Sequence, residues 1–140
     1  MHVGHGASRP APEPPPGVPP LPRAEIDALV RRYLGPELRS GARMVADYSS
    51  ERHEVVLART RFGPPRTVHA PGFPDLVRDV DEVVSGVLSL SYAAPHLFGA
   101  RLDAFVADLR ALLEERGGRF WEWPGDTEVL IATRPRSRTP

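Results

Sequence analysis

The chain has 140 residues, 18 basic against 18 acidic, and no cysteine. That length suits one domain at most. The formal net charge of zero removes the electrostatic case for nucleic acid or an anionic membrane as the main partner, and the lack of cysteine excludes disulfides and thiolate metal sites. No apolar run approaches the ~20 residues of a membrane span. No basic start followed by an apolar stretch marks a secretion signal. A cytoplasmic location fits these features. All 18 basic residues are arginine, and lysine, asparagine and glutamine are absent. The arginines are scattered, as a coding bias leaves them, and not clustered as bidentate anion binding requires.

The first 22 residues hold 8 of the 17 prolines. Proline removes a backbone donor and restricts its predecessor, so 1–22 reads as a Pro-rich, disordered loop. A first helix follows. Ile26, Leu29, Val30, Tyr33 and Leu34 share one helical face. Pro22 sits near its start and Gly35-Pro36 stops it. Residues 37–50 are polar and turn-like. Across Glu51 to Phe62, the run Val55-Val56-Leu57 suits a buried strand or a helix segment, and periodicity leaves both open. Arg66 to Ala70 reads as a short strand between Pro-Pro and Pro-Gly signals.

A second helix begins near Asp79, with Asp79 and Glu82 at capping-box spacing. Val80, Val83, Val84, Val87 and Leu88 repeat along it. Valine is a poor helix former, so packing has to hold this helix. Ser91 to Gly99 is an apolar connector. The third helix carries Leu102, Phe105, Val106, Leu109, Leu112 and Leu113 as one stripe, and Gly117-Gly118 ends it. After Phe120-Trp-Glu-Trp123 and a turn at Pro124-Gly125-Asp126, Val129 to Thr133 is apolar on both faces. A strand of that pattern is expected to need cover on both sides, from a partner sheet that this chain does not fully provide. Residues 135–140 form a tail.

The chemistry-bearing residues are few. His2 and His5 have metal-pair spacing, but no third ligand is near in sequence. Gly4-His5-Gly6 is no dinucleotide loop, because such a loop follows a full strand and opens a helix. No other stretch has a phosphate-cradling glycine pattern. Asp75, Asp79, Asp81 and Glu82 form an acidic cluster that helix-start electrostatics explain better than a cation does. Ser49, Ser50, Ser85 and Ser89 lie in no nucleophile-elbow pattern. His96 stands in the connector, where it either lines a pocket or fixes a turn. Tyr92, Trp121 and Trp123 are either cavity walls or core with their polar ring atoms bonded.

Five stretches carry a family resemblance: Ala24–Pro36, Arg78–Val84, Leu88–Gly99, Arg101–Leu113 and Arg119–Val129. Together they resemble the C-terminal half of class I S-adenosylmethionine-dependent methyltransferases, of the small-molecule type found in high-GC bacteria. Ala94-Pro-His-Leu-Phe-Gly99 is the most specific part. The resemblance implies an α/β fold. It is the C-terminal part of a Rossmann-like methyltransferase fold, with three to four helices, a short antiparallel strand pair and the N-terminal cofactor half absent. Met1–Gly4 is similar to the tail of the fifth strand, which makes Met1 an internal start or a truncation. Strands six and seven are implied at Arg66–Ala70 and Glu128–Thr133, paired antiparallel, and Glu51–Phe62 is implied to be helical.

The resemblance also implies a role. The lobe at 23–134 would wall a substrate pocket, with Tyr92, His96, Phe98 and Trp121 as lining residues. It assigns no catalytic residue, no cofactor-binding residue and no metal. S-adenosylmethionine is the implied cofactor, yet this chain alone is not expected to bind it. The expected partners are a small-molecule methyl acceptor and a separate N-terminal half. Self-association is the alternative to docking, because a half-sheet leaves strand edges unpaired. Two competing functions are a non-catalytic binding or regulatory module derived from the same fold and a degenerate fragment with no function.

Overall fold

The structure is a computed structural model, and it describes residues 10–40, 43–44, 53–62 and 65–135. Contacts divide it into two compact units. The described part of the first spans 13–40, 43–44 and 75–122. The described part of the second spans 10–12, 53–62, 65–74 and 123–135. The architecture is mixed helix with small antiparallel sheets.

The first unit is a helical core with two small strand pairs. Helix α1 (Arg23–Leu34) buries Ile26, Leu29 and Val30, and Gly35, at φ 93°, ends it. A two-residue pair follows, β1 (Arg39–Ser40) with β2 (Arg43–Met44), inside the stretch expected to be only turn. Further along the chain, beyond the helix α2 (His53–Ala58) and the strand β3 (Arg66–Ala70), comes β4 (Val77–Asp79). It leads directly into α3 (Val80–Leu88), which Asp79 caps reciprocally. The Glu82 N–H donates to Asp79 Oδ1 and the Asp79 N–H donates to Glu82 Oε2, both at 2.9 Å. Two carboxylates at a helix start are thereby spent on orphan backbone donors. Val83, Val84 and Val87 face the core, which is how a valine-rich helix is held.

The connector after α3 is more structured than its composition indicates. Pro95 opens a single turn, α4 (Pro95–Phe98), followed by a 3₁₀ turn at Gly99–Arg101. A fixed proline φ suits a first helical position. The turn delivers Phe98 into the core. Helix α5 (Leu102–Glu115) supplies Phe105, Leu109 and Leu113, all at 0% exposure. Phe98 stacks on Phe105 at 4.1 Å between centroids, and Tyr33 meets Phe105 edge-on at 5.4 Å.

Strand β5 (Arg119–Trp121) pairs antiparallel with β4, Val77 opposite Trp121 and Asp79 opposite Arg119. Here the Pro-rich segment takes on a definite role. The Trp121 N–H donates to the Pro19 carbonyl at 2.8 Å, and the Leu21 N–H donates to the Trp121 carbonyl at 3.0 Å. Proline suits this edge because Leu21 supplies the donor and Pro19 only an acceptor. Residues 1–9 of the expected disordered loop lie outside the described residues.

The second unit contains α2, β3 and β6 (Thr127–Ile131). Strands β3 and β6 pair antiparallel along their whole length, from Arg66 opposite Ile131 to Ala70 opposite Thr127. Helix α2 lies in the segment expected to be helical and buries none of its residues. The last strand lacks full cover from the described residues of the chain itself. Val68, Val129 and Ile131 are 37–40% exposed. The register sets these three on one face of a two-stranded ribbon, and among the described residues no second layer closes over it. Just beyond the end of β3, Gly72 admits no side chain. A Cβ there would lie 2.1 Å from the Gly125 carbonyl oxygen, and the Gly72 N–H donates to Asp126 at 3.1 Å.

Candidate functional site

A cavity of about 550 Å³ opens in the first unit. Its apolar wall is Leu21 with Val83, Val87 and Leu90 from the α3 face and just beyond it. Gly86 lowers that wall: a Cβ placed there would meet nothing within 4 Å. The opposite edge is charged. Glu122 follows β5 and is anchored by its N–H to the Leu76 carbonyl at 2.9 Å. Its Oε1 accepts from the Arg23 guanidinium and its Oε2 from Arg78 Nε. The Glu122 side chain is only 15% exposed, against 64% for Arg23. Two guanidiniums thus share one carboxylate at the edge of an apolar hollow.

Two further acidic residues, Asp81 and Glu82, line the cavity. Asp81 pairs with Arg110 of α5, and Glu82 caps α3. The sequence-level preference for helix-start electrostatics over a cation holds for Asp79 and Glu82. No three metal-ligating side chains converge among the described residues. His2, His5, the Gly4-His5-Gly6 motif, Ser49 and Ser50 lie outside them.

The four residues expected to line a pocket are dispersed. Phe98 is 2% exposed and stacked in the core, and Tyr92 packs half-buried against that core. His96 is exposed on α4. Trp121 is 9% exposed, immediately before Glu122. None of the four lines the cavity. The residues that do line it were missed because Arg23 and Arg78 stand 99 and 44 positions from Glu122. The available signal was an acid set between two tryptophans, Trp121-Glu122-Trp123, where a lone carboxylate needs cations.

A second polar contact bears on stability and not on the cavity. The Tyr33 hydroxyl donates to Asp108 Oδ2 at 2.7 Å. That bond favours the neutral phenol and raises the Tyr33 pKa above 10.0, with desolvation and the Asp108 charge adding to it and Arg32 and Arg101 opposing. A raised folded-state pKa gives stability that is complete below the unfolded value and lost as pH climbs through the folded one. Stability is therefore expected to decline above about pH 10, and less steeply in Tyr33→Phe. Urea midpoints at a series of alkaline pH values check this.

No family model, no curated protein and no solved structure matches the chain. Among the described residues no helix is long and apolar enough to cross a membrane.

Proposed function

We propose that the chain is the substrate-side part of a class I S-adenosylmethionine-dependent methyltransferase fold, walling a pocket for a small-molecule methyl acceptor. The cofactor grip then comes from the N-terminal half of that fold, on a longer form of this polypeptide or on a separate one. The observation that carries this reading is the β3–β6 ribbon. Arg66–Ala70 pairs antiparallel with Thr127–Ile131 across more than fifty intervening residues. That is the pairing the family resemblance asks of its last two strands. The apolar residues exposed on the ribbon also fit a sheet continued by another segment.

Methyl transfer to a reactive nucleophile relies chiefly on alignment, with little acid–base chemistry. A lobe of this kind contributes walls and orientation, and no catalytic residue is assigned to it. Tyr92 and His96 keep surface accessible to an acceptor, whereas Phe98 and Trp121 are consumed by packing. The competing reading, a binding or regulatory module on the same fold, differs in one measurable respect. Calorimetric titration of S-adenosylmethionine into the chain alone is expected to give no saturable heat. Saturable binding would favour the module and remove the substrate-side reading.

A further inference from the structure

We infer that the cavity edged by Arg23, Arg78 and Glu122 is a binding site for a small apolar molecule carrying one acidic group. This stands on the cavity alone and does not require the methyltransferase reading. Its size, about 550 Å³, lies within the ~300–1,000 Å³ typical of small-molecule sites. The cavity combines an apolar floor of Leu21, Val83, Val87 and Leu90 with charged side chains around it.

Arginine geometry, not net charge, selects an acid. Arg23 and Arg78 share Glu122, and Glu82 balances the charge they leave over. Arg78 binds Glu122 through Nε, so its two terminal nitrogens hold donors beyond that bond. A planar fork with spare donors is suited to a carboxylate or sulfonate. The other acids on the wall are engaged. Asp81 is paired with Arg110, and Glu82 spends one oxygen on the Asp79 N–H at the positive end of α3. Glu82 is nonetheless a negative charge without an ion-pair partner among the described residues, and it opposes an anion. This predicts variants with opposite signs.

The test is calorimetric titration of the full chain with 2-naphthoate, and with 2-naphthamide as its neutral counterpart. The acid is expected to bind at least about tenfold tighter than the amide, a difference of ~1.4 kcal/mol. Arg78→Gln and Arg23→Gln should each weaken the acid and leave the amide unchanged. Glu82→Gln keeps the capping geometry and should tighten the acid. Gly86→Leu fills the hollow from a position with open space around its Cβ. It should abolish binding of both probes without lowering the melting temperature. Equal affinity for acid and amide would overturn the proposal. So would undiminished binding to Gly86→Leu, which would place the probe on exposed apolar surface such as Phe73.

Discussion

Phe105→Ala is expected to bring the first unit to the edge of unfolding at room temperature. Phe105 has no exposed surface, lies stacked on Phe98 and takes the edge of Tyr33. It is thus the point where α1, α4 and α5 meet. Removing a buried phenylalanine costs about 3–5 kcal/mol, through lost transfer energy and the cavity left behind. A domain of this size holds only roughly 5–10 kcal/mol in total. Urea denaturation followed by circular dichroism should show the midpoint falling by half or more. Ala107→Ser, on an exposed position of the same helix, should change it little. A midpoint unchanged by Phe105→Ala would mean that the three helices do not form one cooperative core.

The second large effect concerns the ribbon. Val68 and Val129 face each other across it and both are exposed. Each strand also has one edge without a partner strand among the described residues. Such a surface recruits another strand or another copy. The chain alone is expected to sediment as a concentration-dependent mixture. The double variant Val68→Asp, Val129→Asp should sediment as a monomer, because another copy would have to bury the two carboxylates now on that face. Most of the helical circular dichroism should be retained, since α1, α3 and α5 belong to the other unit. A wild-type chain that is monomeric at all concentrations and melts in one sharp transition would contradict this account of the ribbon.

Much of the fold was legible because helical periodicity is a local signal. The stripes on α1, α3 and α5 and the Asp79–Glu82 box appear in the structure where spacing put them. The glycine stops at Gly35 and Gly117-Gly118 also hold, each glycine at positive φ. What was not legible is non-local. Pairing of β4 with β5 joins Val77 to Trp121, and neither three-residue strand is long enough to show alternation. The hydrogen bonds of Pro19 and Leu21 to Trp121 are invisible to composition, which sees only a proline-rich stretch. Cover for the last strand is non-local in the same way. An apolar run shows that cover is needed, not that the same chain supplies it. The cavity was missed because its charged edge joins a helix start, a strand and a loop that only folding brings together.

The proposed function makes the β3–β6 ribbon the outer part of a sheet whose cofactor-gripping portion lies elsewhere. A fusion of this chain behind the N-terminal half of a small-molecule enzyme of the resembling family tests it most directly. Calorimetry with S-adenosylmethionine, alongside amide hydrogen exchange of 66–70 and 127–131, gives the readout. Stoichiometric cofactor binding, with slowed exchange along one ribbon edge relative to the chain alone, is the predicted result. A folded fusion in which the ribbon exchanges as fast as before and no cofactor binds would contradict the claim.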